Sequence, residues 1–201
     1  MMFNNVREAW ITHQRDPWRR GIWVMAVYFF GRWRYRLPRT IRPPFSFAYR
    51  VLKTLSEILT GIELPCEAQV GRRLRIEHCG DIVISGDAII GDDVVIRNGV
   101  TIGLRRVNER GSPRIGNRVD IGAGAKILGP ITIGDDVMIG ANAVVLQEVP
   151  SNSIAVGVPA RVQHRFANVR HLNGENWVGN GDFAPETLIA GHSDHRGGST
   201  R

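Results

Sequence analysis

The chain has 201 residues, enough for one ordinary domain or one domain with a small appendage. Hydrophobic residues at 43% and charged residues at 22% describe a globular protein and exclude a collagen-like or wholly disordered one. The net charge of +7 does not mark a nucleic-acid binder, because residues 1–60 carry a net +8 and residues 61–201 a net −1.

Residues 1–60 read as helical. Trp18 to about Arg36 is rich in aromatics, Pro38, Pro43 and Pro44 break the chain, and a second helix runs from about Phe45 to Thr60. In that second helix Phe47, Ala48, Val51, Leu52, Leu55, Ile58 and Leu59 fall on one side, and Gly61 sits where a helix end needs a left-handed residue. This basic segment is read as a cap with solvated arginines, with a peripheral contact to a membrane surface as the alternative and no nucleic-acid partner. The apolar run Gly21–Gly31 falls short of the roughly 20 residues needed to span a bilayer. Arg7 and Glu8 interrupt any secretory leader, and two cysteines, Cys66 and Cys79, make no disulfide framework. A cytoplasmic, reduced protein is expected.

From Leu64 the period changes. Aliphatic residues recur every six positions: Leu64, Val70 and Ile76, then after a two-residue shift Ile84, Ile90, Ile96 and Ile102, and finally Ile115, Ile121, Ile127, Ile133, Ile139 and Val145. Small or branched residues follow four places on, as at Ala68, Ala88, Val94, Ala125 and Ala143. Helices repeat every 3.6 residues and strands every 2, so a strict six requires one short strand plus one turn per unit. Three units close a triangular coil, and coils stack through parallel pairing about 4.8 Å apart. Thirteen units predict about four coils within a mainly β parallel β-helix over residues 61–163. The spacing of thirteen between Ile102 and Ile115 expels a loop of about seven residues within GLRRVNERGSPR. Residues 164–201 are polar and Gly-rich and are expected to be a disordered tail.

Of six histidines only His78 lies in the repeat, two places after Ile76, at a position that faces outward. Its near-neutral titration suits a general base, although a plain surface histidine has the same pattern. Glu63 and Glu77 are carboxylates within reach of such a base, or solvated corners. Cys66, His78 and Cys79 lack zinc spacing, so no metal is expected. The two cysteines read as small residues filling repeat positions in preference to acyl-carrying nucleophiles.

The segments GIELPCEA (Gly61–Ala68), IEHCGDIVI (Ile76–Ile84), IGAGAKILG (Ile121–Gly129), IGANAVVL (Ile139–Leu146) and AVGVPARV (Ala155–Val162) resemble the serine acetyltransferase family of left-handed hexapeptide-repeat transferases. The resemblance covers about half the chain. It implies a homotrimer using acetyl-CoA as co-substrate, with no permanently bound cofactor. By position it implies His78 as base, Glu63 as the carboxylate that orients it, and Glu77 as an acceptor contact. Gly103, Ala123 and Ala141 would flank the pantetheine arm, with backbone N–H groups near Gly103 holding the oxyanion, and Pro159 and Arg161 would lie near the adenosine end. In the family the loop carries an Arg-His pair before a proline; here Gly111 and Ser112 precede Pro113. The acetyl-donor half is thus expected to be kept and the acceptor half altered, with Ser112 in the acceptor site. A sugar or polysaccharide-precursor hydroxyl is the favoured acceptor, L-serine the alternative, and a non-catalytic trimeric scaffold the reading from another class.

Overall fold

The structure, a computed structural model, describes residues 2–13, 20–106, 108 and 111–164. The tail expected to be disordered lies outside these residues, apart from His164.

Three helices precede the repeat: α1 (Met2–Thr12), α2 (Arg20–Arg34) and α3 (Arg42–Thr60). Pro43 and Pro44 do not break the chain as expected. They sit in the first turn of α3, where a missing N–H costs nothing and the fixed φ favours helix. Gly61 ends α3 at φ 65°, its N–H donating to Glu57 O at 2.8 Å. The left-handed cap expected there is present.

The repeat then winds in coils. The first holds β1 (Ile62–Glu63), β2 (Gln69–Val70) and β3 (Arg75–Glu77), and the second β4 (Ile82–Ile84), β5 (Ile89–Ile90) and β6 (Val95–Arg97). The third holds β7 (Thr101–Gly103), β8 (Arg114–Ile115) and β9 (Asp120–Ile121), and the fourth β10 (Lys126–Leu128), β11 (Thr132–Ile133) and β12 (Met138–Ile139). Last come β13 (Val144–Val145), β14 (Ser153–Val156) and β15 (Arg161–His164). Every third strand pairs in parallel, giving face 1 (β1-β4-β7-β10-β13), face 2 (β2-β5-β8-β11) and face 3 (β3-β6-β9-β12-β14), with β15 antiparallel on β14. Face 1 counts five strands, one coil more than the ladder predicts. The last coil continues through Val149 and Ala155, which fall off the six-residue step.

The ladder fills the prism. Ile82, Ile84, Ile96, Ile102, Ile121, Ile127, Ile133 and Ile139 are all buried, and so are the slim residues Ala68, Ala88, Val94, Val100, Ala125 and Ala143 beside them. Each buried isoleucine contributes roughly 1.5–3 kcal/mol relative to exposure. Register records every irregularity. Thr101 pairs with Lys126 and Lys126 with Val144, but Ile62 pairs with Ile82, two residues further than a regular coil allows. The surplus sits between β3 and β4, at His78–Asp81.

An open solenoid end exposes unpaired strand groups, and here helix side chains take them up. Ile62 N–H donates to Thr60 Oγ1 (3.2 Å), Cys66 N–H to Tyr49 Oη (3.1 Å), Val70 N–H to Tyr28 Oη (3.2 Å) and Ile76 N–H to His13 Nε2 (3.3 Å). Tyr28 Oη in turn donates to Ala68 O (2.9 Å). The basic segment is therefore a true cap on the first coil.

One helix is inside out. The polar side of α3, with Arg42, Ser56, Glu57 and Thr60, lies toward the protein together with Tyr49. The apolar stripe faces solvent instead, with Phe47 72%, Ile58 74% and Leu59 70% exposed, joined by Val51, Leu52 and Leu55. Among the described residues no helix is long and apolar enough to cross a membrane.

Candidate active site

The three edges of the prism differ in chemistry. Between faces 2 and 3 the edge is closed by a polar ladder. Arg72 N–H donates to Asp92 Oδ1 (2.7 Å), Asp92 N–H to Asn117 Oδ1 (2.8 Å), Asn117 N–H to Asp135 Oδ1 (2.7 Å) and Asp135 N–H to Ser151 Oγ (3.0 Å). Beside it Arg73 grips Asp93 and Arg118 grips Asp136.

Between faces 3 and 1 the edge is bare. Above His78 it carries Asn98 and Gly99, then Ala123 and Gly124, then Ala141 and Asn142, then Gly157, each joined to the level below by a backbone hydrogen bond. Gly99 and Gly124 adopt φ 72° and 74°, and a Cβ at Gly124 would collide with the Asn142 carboxamide. From His78 to Gly157 the edge climbs four coil spacings, about 19 Å. Small residues there leave backbone accessible along that length. At its top the β14–β15 hairpin carries Pro159 and Arg161, both exposed, and folds back so that Ala160 N–H donates to Val144 O at 2.8 Å.

His78 stands at the foot of this edge. The two surplus residues throw the corner outward, with His78 at φ 57°, Gly80 at φ 124° and Asp81 at φ 53°. The imidazole is exposed and lines a cavity of about 580 Å³ with Arg20, Gly21, Ile76, Glu77 and Cys79. Two neighbours set its surroundings. Glu77 lies 3.1 Å from Arg75 Nε and 3.6 Å from Arg97 Nε, the first an ion-pair distance without hydrogen-bond alignment. Arg97 also binds Asp120, and that bond holds the guanidinium above its usual range. Burial pushes the Cys79 thiol up, against the pull of Arg20 and of the Gly21 N–H, so Cys79 is held as a thiol and suits nucleophilic attack poorly. Cys66 is buried under Gly31 and Tyr49 in the base of the prism.

Glu63 projects outward from face 1, opposite Val83, and its side chain makes no hydrogen bond or ion pair among the described residues. It is on the face adjoining the His78 corner, but the hydrogen bond expected between them is not formed. Gly103 and Ser112 lie on the third edge, between faces 1 and 2, where the loop is expelled. Ser112 is only 8% exposed, its Oγ donating to Ser85 Oγ at 2.8 Å. Gly103 O accepts from Gly129 N–H at 2.9 Å. From Asp81 to Ser85 the extended chain spans about 13 Å. One prism therefore does not bring Gly103 or Ser112 to His78. Its sites are split between two edges.

Two residues near His78 carried no sequence signal. His13 is buried at the end of α1, its Nδ1 donating to Ala9 O at 2.8 Å while Nε2 accepts from Ile76, which fixes one neutral tautomer. It pins α1 to β3, two residues before His78. Arg20 opens α2 at the cavity wall.

Comparison with known proteins follows the same lines. The model of the bacterial transferase hexapeptide (six repeats) matches residues 112–147. The serine acetyltransferase of Helicobacter pylori strain J99 is 44% identical over 153 residues, covering 74% of this chain and 90% of the relative. That of Staphylococcus aureus strain Mu50 is 48% identical over 158 residues, covering 76% and 74%. Among solved structures, serine acetyltransferase from Brucella abortus in complex with coenzyme A superposes with a TM-score of 0.68 at 31% identity, covering 80% of this chain and 66% of that one.

Proposed function

Because the chain belongs to the serine acetyltransferase family of hexapeptide-repeat transferases, we propose that it transfers the acetyl group of acetyl-CoA to the hydroxyl of L-serine. The observation that carries this reading is the bare edge rising from an outward-facing His78. It offers backbone along about 19 Å to an extended thioester, with a base at its foot. In the reaction His78 takes the proton of the acceptor hydroxyl as its oxygen attacks the thioester carbonyl carbon. The tetrahedral adduct then collapses, the C–S bond breaks, and the departing thiolate takes the proton from the imidazolium. Glu63 is the carboxylate proposed to orient the imidazole and balance its charge, as in other His–carboxylate pairs. Glu77 adds negative charge beside the base while holding Arg97.

The preference for a sugar acceptor gives way to serine. It rested on Gly111 and Ser112, whereas relatives named serine acetyltransferase align over about three quarters of this chain. A sugar hydroxyl stays the second reading, favoured by those two positions and by the buried, engaged Ser112. Ala123, Ala141, Pro159 and Arg161 are proposed to hold coenzyme A along the bare edge.

A homotrimer completes the proposal. His78 and the loop residues Gly103 and Ser112 occupy different edges, and a ring in which one edge meets the other edge of the next copy would unite them. The outward apolar stripe of α3 supports self-assembly over membrane contact, because Arg50 is the only exposed charged residue within α3 itself. Two free cysteines fit a cytoplasmic, reducing setting.

The test is to incubate the full chain with acetyl-CoA and each candidate acceptor, following thiol release and product mass. O-acetylserine is expected. Serine left inert beside an acetylated sugar would move the assignment to the second reading, and no coenzyme A binding at all would return it to a scaffold.

A further inference from the structure

We propose that Arg20 binds a carboxylate on the acceptor, replacing at the His78 cavity the cation that the loop lacks at Gly111 and Ser112. The inference rests on the reading of His78 as base and of an amino acid as acceptor. Arg20 is the one lysine or arginine among the described residues lining the cavity, which it shares with Glu77 and His78. Most arginines near the prism are committed: Arg72 and Arg73 to Glu8, Arg97 to Glu77 and Asp120, Arg118 to Asp136, Arg34 to Cys66 and Glu67. Arg20 makes no ion pair or hydrogen bond among the described residues and is exposed.

Its charge nevertheless reaches the site. The guanidinium opposes the upward push of burial on the Cys79 thiol, and Cys79 is bonded to His78. The first turn of the 15-residue helix α2 lies on the same wall, with Gly21 lining the cavity beside Arg20. The cavity thus lines the base with a cation, Arg20, and with a carboxylate, Glu77, that Arg75 and Arg97 also hold. A zwitterion carrying a hydroxyl satisfies both, its carboxylate on Arg20 and its ammonium toward Glu77. The phosphates of coenzyme A do not compete for Arg20 on this reading, because Pro159 and Arg161 lie four coils higher, about 19 Å away.

The test compares L-serine with L-serinamide, which keeps the hydroxyl and the ammonium but loses the carboxylate charge. Wild-type protein should favour L-serine in kcat/KM by about 10- to 100-fold, the range of one charge-assisted hydrogen bond. Arg20→Ala should collapse that ratio toward one through a higher KM for L-serine, and Arg20→Lys should restore part of it. Unchanged thermal midpoints verify folding, which an exposed, unbonded side chain should not disturb. A serine preference that survives Arg20→Ala overturns the clamp alone. Wild-type protein that acetylates neither compound but does acetylate a sugar overturns the amino-acid acceptor, and the clamp with it.

Discussion

Replacing Tyr28 by phenylalanine removes one oxygen atom from the base of the prism. Tyr28 is 1% exposed, and its hydroxyl serves two backbone groups of the first coil, donating to Ala68 O at 2.9 Å and accepting from Val70 N–H at 3.2 Å. The two losses are unequal. Arg32 Nη1 also reaches Ala68 O at 3.2 Å, so that carbonyl keeps a donor, whereas Val70 N–H loses its acceptor. An orphaned, partly buried donor plus one weakened bond costs about 2 kcal/mol. For a chain of this size that lowers the thermal midpoint by about 4–8 °C. Urea unfolding followed by circular dichroism should show a lower midpoint with an unchanged slope. Burial also raises the Tyr28 pKa above its ordinary value of about 10. A raised pKa means folding favours the protonated phenol, so this stabilisation is complete below about pH 10 and fades as pH climbs through the folded-state value. The gap between wild type and variant should therefore narrow in alkali. A change under 0.5 kcal/mol at neutral pH would refute the view that helix side chains cap the first coil.

Two further outcomes test the site and the assembly. His78→Ala should lower kcat by about 10²–10⁴-fold in the thiol-release assay and leave the thermal midpoint in place, because the imidazole is exposed and packs against no core. Phe47→Glu combined with Ile58→Glu should change protomer stability by no more than about 0.5 kcal/mol, yet lower the assembly mass measured by light scattering. An unchanged mass would mean that another copy does not cover α3.

The prism was legible because its signal is local and repeated. Each isoleucine of the ladder declares its inward direction, and the two-residue shift after Ile76 and the long gap after Ile102 appear in the structure as register shifts at two corners. His78 was legible for the same reason, since a histidine two places past an inward isoleucine must face out. Three features escaped. Periodicity grouped Phe47, Val51, Leu55 and Ile58 on one side of α3 but said nothing about which side the protein takes, and the usual assumption that apolar means inward failed. His13 meets Ile76 across 63 residues of chain, and Arg20 meets His78 across a similar span, so no spacing rule links either pair. Gly103 and Ser112 were grouped with His78 by resemblance, a grouping indifferent to whether the residues share one subunit.

The corner surpluses have a consequence for how such a protein can change. Two extra residues precede β4 and a longer segment precedes β8, yet the strands after each addition resume pairing as though nothing had intervened. Length added at a bend is absorbed there and not passed along the axis. The vicinity of the imidazole and the expelled segment can therefore be lengthened, trimmed or rewritten separately, while the isoleucine stack and the bare edge stay as they are. Divergence in what is acetylated needs no new architecture, only different bends.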